Sequence, residues 1–156
     1  MPVFECKIVE VCVCSKINGA YKFLLLKRSK NVSLYPGQWQ IVTGHLEENE
    51  TLLNASLREL KEETGFVPTK YWILPHTNTF IDPQKEIVNV TAIFAGEVLS
   101  NTNPILSNEH DEYYWADLQE IKNILVWPGQ INAINIFNDY LLSGKETEIL
   151  SRINLN

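Results

Sequence analysis

The stretch WQIVTGHLEENETLLNASLRELKEETGF, Trp39 to Phe66, decides how the rest of the chain is read. Its opening, with Gln38 before it, reads as a short strand ending at Gly44, and a helix is expected from about Thr51 to Thr64. Gly65 supplies a left-handed stop and Pro68 lies just beyond it. The last two turns of that helix carry Glu59, Glu62 and Glu63. A helix C-terminus is partly negative, so acids there repel the dipole as well as one another. Three carboxylates therefore stand where they cost stability, and that placement needs a reason.

With 3.6 residues per turn, Leu53, Leu57, Leu60 and Thr64 fall along one stripe, which is expected to face the core. Glu59 and Glu63 are four apart and Glu62 is three from Glu59, so the acids share a neighbouring flank. Arg58, four before Glu62, is placed to brace it. Glu-rich helix faces are ordinarily just solvated. Here the unfavourable end of the dipole and the flanking Gly44 and Gly65, which fix a loop-helix-turn unit, argue for a divalent cation among the acids. Clustered carboxylates raise each other's pKa unless such an ion neutralises them. Hard oxygen ligands suit Mg²⁺ or Mn²⁺, which bridge protein carboxylates to substrate phosphates and make a bound water easier to deprotonate.

Working outward, KIVEVCVC (Lys7–Cys14) puts Val9, Val11 and Val13 on one strand face, and Asn18-Gly19 marks a tight hairpin before KFLLLKR. Lys30 to Gly37 reads as a loop with a Pro-Gly turn. KYWILPHTNTFI and EIVNVTAIFAGEVL read as two strands joined at Asp82-Pro83, and Asn101 to Asp111 as an exposed loop before a short strand, EYYWADL. Leu118 to Leu125 is a candidate short helix, and Gln130 to Leu142 an amphipathic terminal helix closed by Gly144, whose apolar face is expected to pack on the core. The order β-β-β-α-β-β-β-α-α gives an α/β domain, a mixed sheet with helices on its faces, spanning the 156 residues without linker or repeat.

A net charge of −6 argues against a broad nucleic-acid-binding surface. No apolar run reaches the length of a membrane span, and MPVFECKIVE lacks the order of a signal peptide, so a cytoplasmic protein is expected. Cys6, Cys12 and Cys14 show no zinc spacing; Cys12 and Cys14 share a strand face and are expected as small buried hydrophobes. The sequence leaves the oligomeric state open.

Read with its spacing, Gly44-x5-Glu50-x7-Arg58-Glu59-Leu60-Lys61-Glu62-Glu63-Thr64-Gly65-Phe66 resembles the Nudix box, G-x5-E-x7-R-E-U-x-E-E-x-G-U with U a bulky apolar residue. All nine defined positions match. The resemblance implies a Nudix-like α/β/α sandwich with a mixed central sheet and a divalent metal, Mg²⁺ or Mn²⁺. It also implies hydrolysis of a nucleoside diphosphate linked to another moiety, with water attacking phosphorus. It makes Glu59 and Glu63 the chief metal ligands, with Glu62 assisting and Arg58 orienting the carboxylates. Glu50 would stabilise the loop-helix unit or accept a further metal. The backbone carbonyl of Thr43 would join the metal shell or serve ordinary strand-end pairing.

Outside the box, LLLKR, WQIVTGHLEENET and NEHDEYYWADL resemble the bacterial dATP pyrophosphohydrolase and dihydroneopterin triphosphate pyrophosphatase group. By position this implies that Arg28 holds a substrate phosphate, that Thr43 contacts substrate or metal, and that Lys7 is a further phosphate contact. Glu109 would be the extra carboxylate, a metal ligand or general base, with Glu112 as competitor and His110 beside it. The chain departs from the group where Asn49 replaces the usual glycine before Glu50 and where WPGQ stands for a Trp-Ser pair.

Tyr35 and Trp39, flanking the Pro-Gly loop, are candidates to stack on a flat ring; Trp127 is another, whereas Trp115 is expected in the core. The expected substrate is a small nucleotide or pterin triphosphate, cleaved to monophosphate and pyrophosphate. The alternatives are a dinucleoside polyphosphate, a nucleotide sugar, an oxidised nucleotide, or a silent nucleotide-binding role. VTGHLEE lacks the Pro-Gln-Gly-Gly lead-in of the diadenosine polyphosphate branch. A silent domain would have no need for Arg58, Glu59, Glu62 and Glu63 together.

Overall fold

Asn18 and Gly19, both at positive φ (53° and 80°), turn β1 (Val3–Ile17) into β2 (Ala20–Arg28), as an Asn-Gly hairpin requires. The computed structural model describes residues 1–156. After the hairpin come β3 (Trp39–Gln40), β4 (Val42–His45), α1 (Leu52–Thr64), β5 (Lys70–Asp82) and β6 (Ile87–Glu97). The chain ends with β7 (His110–Ala116), α2 (Ile121–Ile124), α3 (Pro128–Ile136), α4 (Glu146–Ser151) and β8 (Arg152–Ile153). One mixed sheet runs β3-β2-β1-β6-β5-β8, with β4 also on β1 and β7 also on β2. The β1–β6 pairing is parallel; the other pairings are antiparallel.

Alternation along β1 builds two cores. Val9, Val11 and Val13 pack with Leu24, Leu26 and Phe94 against Ala55 and Leu60 of α1. Cys12 and Cys14, buried as expected, pack with Leu25, Trp72 and Ile93 against Ala133 and Ile134 of α3. The result is the α/β/α sandwich with a mixed central sheet. No helix is long and apolar enough to cross a membrane.

One expectation needs refinement and two need correction. Leu53, Leu57 and Leu60 pack on the α1-side core as expected, but Leu53 and Leu57 are half-buried there, and the fully buried line of α1 runs through Ala55, Ser56, Leu60, Glu63 and Thr64. Small side chains at Ala55 and Ser56 suit close approach to the sheet, and the Tyr71 hydroxyl and Ser56 Oγ bond at 2.9 Å. This rotation turns Glu63 inward. The terminal helix is not one regular helix: α3 starts at Pro128, whose missing N–H costs nothing in a first turn, and gives way to a π-helical turn at Phe137–Leu141. Finally, α4 and β8 extend the fold where no element was expected. Ile153 and Arg152 pair with Tyr71 and Trp72, and Glu148 accepts from Trp72 Nε1 at 2.9 Å.

Candidate active site

β4, the loop after it and α1 converge on Arg58. Its Nε donates to Glu50 Oε1 and its Nη2 to Glu50 Oε2, both at 2.8 Å. Nη2 also donates to the His45 carbonyl at 2.9 Å, and Nη1 to Glu59 Oε1 at 2.8 Å and Glu62 Oε2 at 3.2 Å. The brace to Glu62 is present, but the two-pronged bond to Glu50 is the dominant one. Glu50 Oε2 also accepts from the Glu47 N–H at 3.0 Å, which ties the loop to the helix. The Arg58 hydrogen bond, helped by that backbone contact, holds the Glu50 carboxyl down at about 2. Local signals fix α1 itself: Thr51 Oγ1 accepts from the Asn54 N–H at 3.2 Å, and Gly65, at φ 74°, donates to the Lys61 carbonyl.

Glu59 lies flat against β4. A Cβ on Gly44 would fall 1.9 Å from Glu59 Cδ and 2.2 Å from its Oε1, so only glycine leaves that space. One turn later Glu63 is 2% exposed, and neither of its carboxylate oxygens has a hydrogen-bond partner. The Thr43 backbone N–H is near enough to ease its charge without closing a bond. Burial first, then the fields of Glu59 and Glu109, push the Glu63 pKa well above the carboxylate range; Arg28 opposes them. Glu59 is also raised, chiefly by burial, against the pull of Arg58.

A buried carboxylate without a partner is costly unless a cation completes it. No group of three His, Cys, Asp or Glu side chains closes into a ready coordination sphere. The donors are nevertheless hard oxygens of like charge, one of them orphaned, and that chemistry fits Mg²⁺ or Mn²⁺.

The remaining expected residues divide. Arg28 Nε donates to the Leu34 carbonyl at 2.7 Å, and its charge reaches Glu63 and His110. Glu109 is exposed and forms no ion pair, and its field reaches Glu59 and Glu63, whereas Glu112 is paired with Lys27 at 2.9 Å. His110 is buried, holds Gln40 Nε2 at 3.0 Å, and is lowered to about 4 by burial and by Arg28, so it is neutral at pH 7. Lys7 is exposed and lies on Glu5 at 3.1 Å, in contact with none of these groups. Thr43 is half-buried, its hydroxyl on the Ile41 carbonyl at 3.1 Å.

Among the aromatics, Tyr35 is exposed and meets Trp127 edge to face, ring centroids 5.0 Å apart. Trp39 is half-buried with Lys27 Nζ 5.8 Å over its ring. Trp115 packs against Phe66 on the α1 side, as a core residue should.

Sequence reasoning passed over a buried polar set on the opposite face of the sheet. Glu10 accepts from Asn78 Nδ2 at 3.0 Å and from Gln130 Nε2 at 2.7 Å, and Gln130 Oε1 accepts from the Ile41 N–H at 3.2 Å. The signal was available: Glu10 is a lone charge between Val9 and Val11 in an otherwise apolar run.

Comparison with known proteins agrees with this geometry. A family model described as NUDIX domain matches residues 7–137. The chain is 26% identical over 118 residues to nucleoside triphosphatase NudI of Klebsiella pneumoniae (strain 342), covering 71% of this chain and 84% of that protein. A C. elegans Ap4A hydrolase binary complex superposes with TM-score 0.72 at 22% identity, covering 89% of this chain and 99% of the other. The E. coli dihydroneopterin triphosphate pyrophosphohydrolase does so with TM-score 0.66 at 24% identity, covering 84% and 93%. At these identities the two structures speak for the fold alone.

Proposed function

The chain belongs to the Nudix family and is a Nudix-type pyrophosphohydrolase acting on a nucleotide-like substrate, and from that premise we propose that it cleaves a nucleoside triphosphate-like molecule to monophosphate and pyrophosphate. dATP and dihydroneopterin triphosphate are the favoured substrates, on the motifs outside the box. Triphosphatase is also what the NudI relative is named for. The observation that carries the reading is Glu63: a carboxylate 2% exposed, without a partner, beside a second acid held against Gly44.

In this reading Glu59 and Glu63, with Glu62, would hold Mg²⁺ or Mn²⁺, and Glu109 is read as the general base rather than as a further ligand. When bound, the ion supplies charge neutralisation for the polyphosphate and Lewis-acid polarisation of its oxygens. Arg58 fixes the rotamer of Glu59 and ties the loop down through Glu50. Arg28 faces a substrate phosphate, and Lys7 and Thr43 are further candidate contacts. Glu109, free of any ion pair, takes the proton of the attacking water as its oxygen bonds to phosphorus and the anhydride P–O bond breaks. Tyr35, Trp39 and Trp127 give the ring a stacking surface.

A substrate panel with released pyrophosphate and phosphate measured separately tests this. The panel includes dATP, dihydroneopterin triphosphate, 8-oxo-dGTP, a diadenosine polyphosphate and ADP-ribose. Release of pyrophosphate from a triphosphate is the expected result. Cleavage of ADP-ribose alone would overturn it.

A further inference from the structure

His110 enters the sheet through an irregularity. Lys27 pairs with Glu112 but Arg28 pairs with His110, so Asp111 is an extra residue in β7, and its side chain accepts from the Lys30 N–H at 3.2 Å. A one-residue slip exchanges the two faces of a strand, and bulges re-aim side chains next to active sites. In regular alternation from Trp115, which packs on the α1 side, His110 would face α3. The bulge turns it onto the α1 face, where it meets Gln40, two residues before Val42 of the α1-side core.

Stability does not account for this pair. His110 is 4% exposed and Gln40 7%, and one bond joins them, Gln40 Nε2 to His110 Nε2 at 3.0 Å. The amide nitrogen donates, so the ring proton is left on Nδ1, which is buried without a partner. An unmatched buried N–H costs free energy, and two apolar side chains would hold the strands together at least as well. Position does account for it. The loop before His110 is fastened at two points. The Ile105 N–H donates to the Thr64 carbonyl at 2.8 Å, at the end of the acidic helix, and the Glu109 carbonyl accepts from the Ser29 N–H at 2.8 Å. Glu109 stands at the second point, and its field reaches Glu59 and Glu63. Gln40 belongs to the chain that runs through Val42 to Gly44, against which Glu59 lies. The His110–Gln40 bond therefore ties the end of the Glu109 loop to the strand that seats Glu59.

We propose that His110 is a positioning residue: its bond to Gln40 holds the peptide between Glu109 and His110 in the register that keeps the Glu109 carboxylate beside the Glu59–Glu63 acids. A proton acceptor works only at a fixed distance from the attacking water, and small displacements of such a group are expensive in rate. The inference rests on the reading of Glu109 as proton acceptor and adds the group that places it.

A double-mutant cycle on kcat, run on the full chain at saturating Mg²⁺, tests this. His110→Phe keeps a ring and removes the bond; it should lower kcat about tenfold or more, with KM within about threefold of the parent. His110→Gln, which returns an acceptor to the Gln40 amide, should recover most of that loss. In a Glu109→Gln background His110→Phe should cost less than about twofold, because the group it places is gone. If Glu109→Gln alone leaves kcat unchanged, the proton-acceptor reading fails and takes the inference with it. If Glu109→Gln is impaired but His110→Phe keeps full kcat, costs as much in the Glu109→Gln background as in the parent, or is not bettered by His110→Gln, the positioning role alone fails. Gln40→Leu breaks the same bond from the other side and decides in the same way should His110→Phe not fold.

Discussion

Gly44 and Glu59 occupy each other's space: a Cβ on the first would sit 1.9 Å from the carboxyl carbon of the second. The atoms in conflict are the far end of a flexible side chain, so a methyl group there moves a carboxylate rather than the backbone. Gly44→Ala should therefore alter stability by no more than about 1 kcal/mol, while misplacing Glu59 enough to cost on the order of 10²-fold in kcat/KM. Thermal unfolding and steady-state kinetics on the same preparation check this; equal losses in both would reduce Gly44 to a packing residue.

Glu63 has the opposite profile. Its folded pKa is raised, so the folded chain binds a proton more tightly than the unfolded one, and stability falls as pH climbs from the ordinary carboxylate range through the folded pKa. Glu63→Gln removes that dependence and should be as stable as the parent or more so at pH 8. It should lose on the order of 10³-fold in turnover, the several kcal/mol that charge stabilisation supplies. Mn²⁺ at a hundred times its Kd should stabilise the parent by about 2.7 kcal/mol and the variant far less. Melting curves with and without the ion decide. An equal shift in both proteins would remove Glu63 from the metal site.

Arg58 predicts an acid-side signature. Glu50 is held at about 2, chiefly by the Arg58 hydrogen bond, so the stability from that pair is present above the ordinary carboxylate pKa and lost as pH falls toward 2. In Arg58→Ala the loss between about pH 4.5 and 2 should shrink, and activity at neutral pH should drop about 10- to 100-fold as Glu59 loses its brace. Acid unfolding followed by circular dichroism would show the first effect. An unchanged acid limb would mean that Arg58 does not govern Glu50.

How far the sequence carried this picture depended on the reach of each signal. The acidic helix, its caps and its neighbours were legible because Thr51, Gly65 and the Glu spacing act within a few residues. The sandwich was legible from strand alternation. What escaped was set by distant chain. Ser56 is drawn into the buried line by the Tyr71 hydroxyl, and β8 forms where β5 offers Arg152 and Ile153 an edge at Trp72 and Tyr71. Gln130 meets Glu10 from 120 positions away, a pairing no local pattern encodes. The choice between Glu109 and Glu112 was open for the same reason, since Lys27, which holds Glu112, comes from another strand.

Tyr35 and Trp127 should govern binding more than chemistry. Their edge-to-face contact at 5.0 Å leaves Tyr35 about half exposed, with ring face available for the stacking proposed above. Loss of one stacking partner costs about 1–3 kcal/mol, so Tyr35→Ala should raise KM about 5- to 150-fold with kcat little changed. A fall in kcat at constant KM would place Tyr35 elsewhere in the reaction.

Glu109 and Glu112 stand three residues apart and part company in their partners. The Lys27 ion pair satisfies Glu112 at the exposed surface, where such pairs contribute little. Glu109 is without an ion pair, and its field adds to those that raise Glu59 and Glu63. Of the two, only Glu109 is free of an ion pair while its field reaches Glu59 and Glu63, and that favours it for the proton-acceptor role proposed above. Glu109→Gln should lower kcat by about 10²- to 10⁴-fold, the usual range for loss of a general base. Glu112→Gln should stay within about threefold of the parent, as a surface charge change would. Measured side by side at saturating Mg²⁺, the reverse ranking would assign the acceptor role to Glu112 and imply that the Lys27 pair opens when substrate binds.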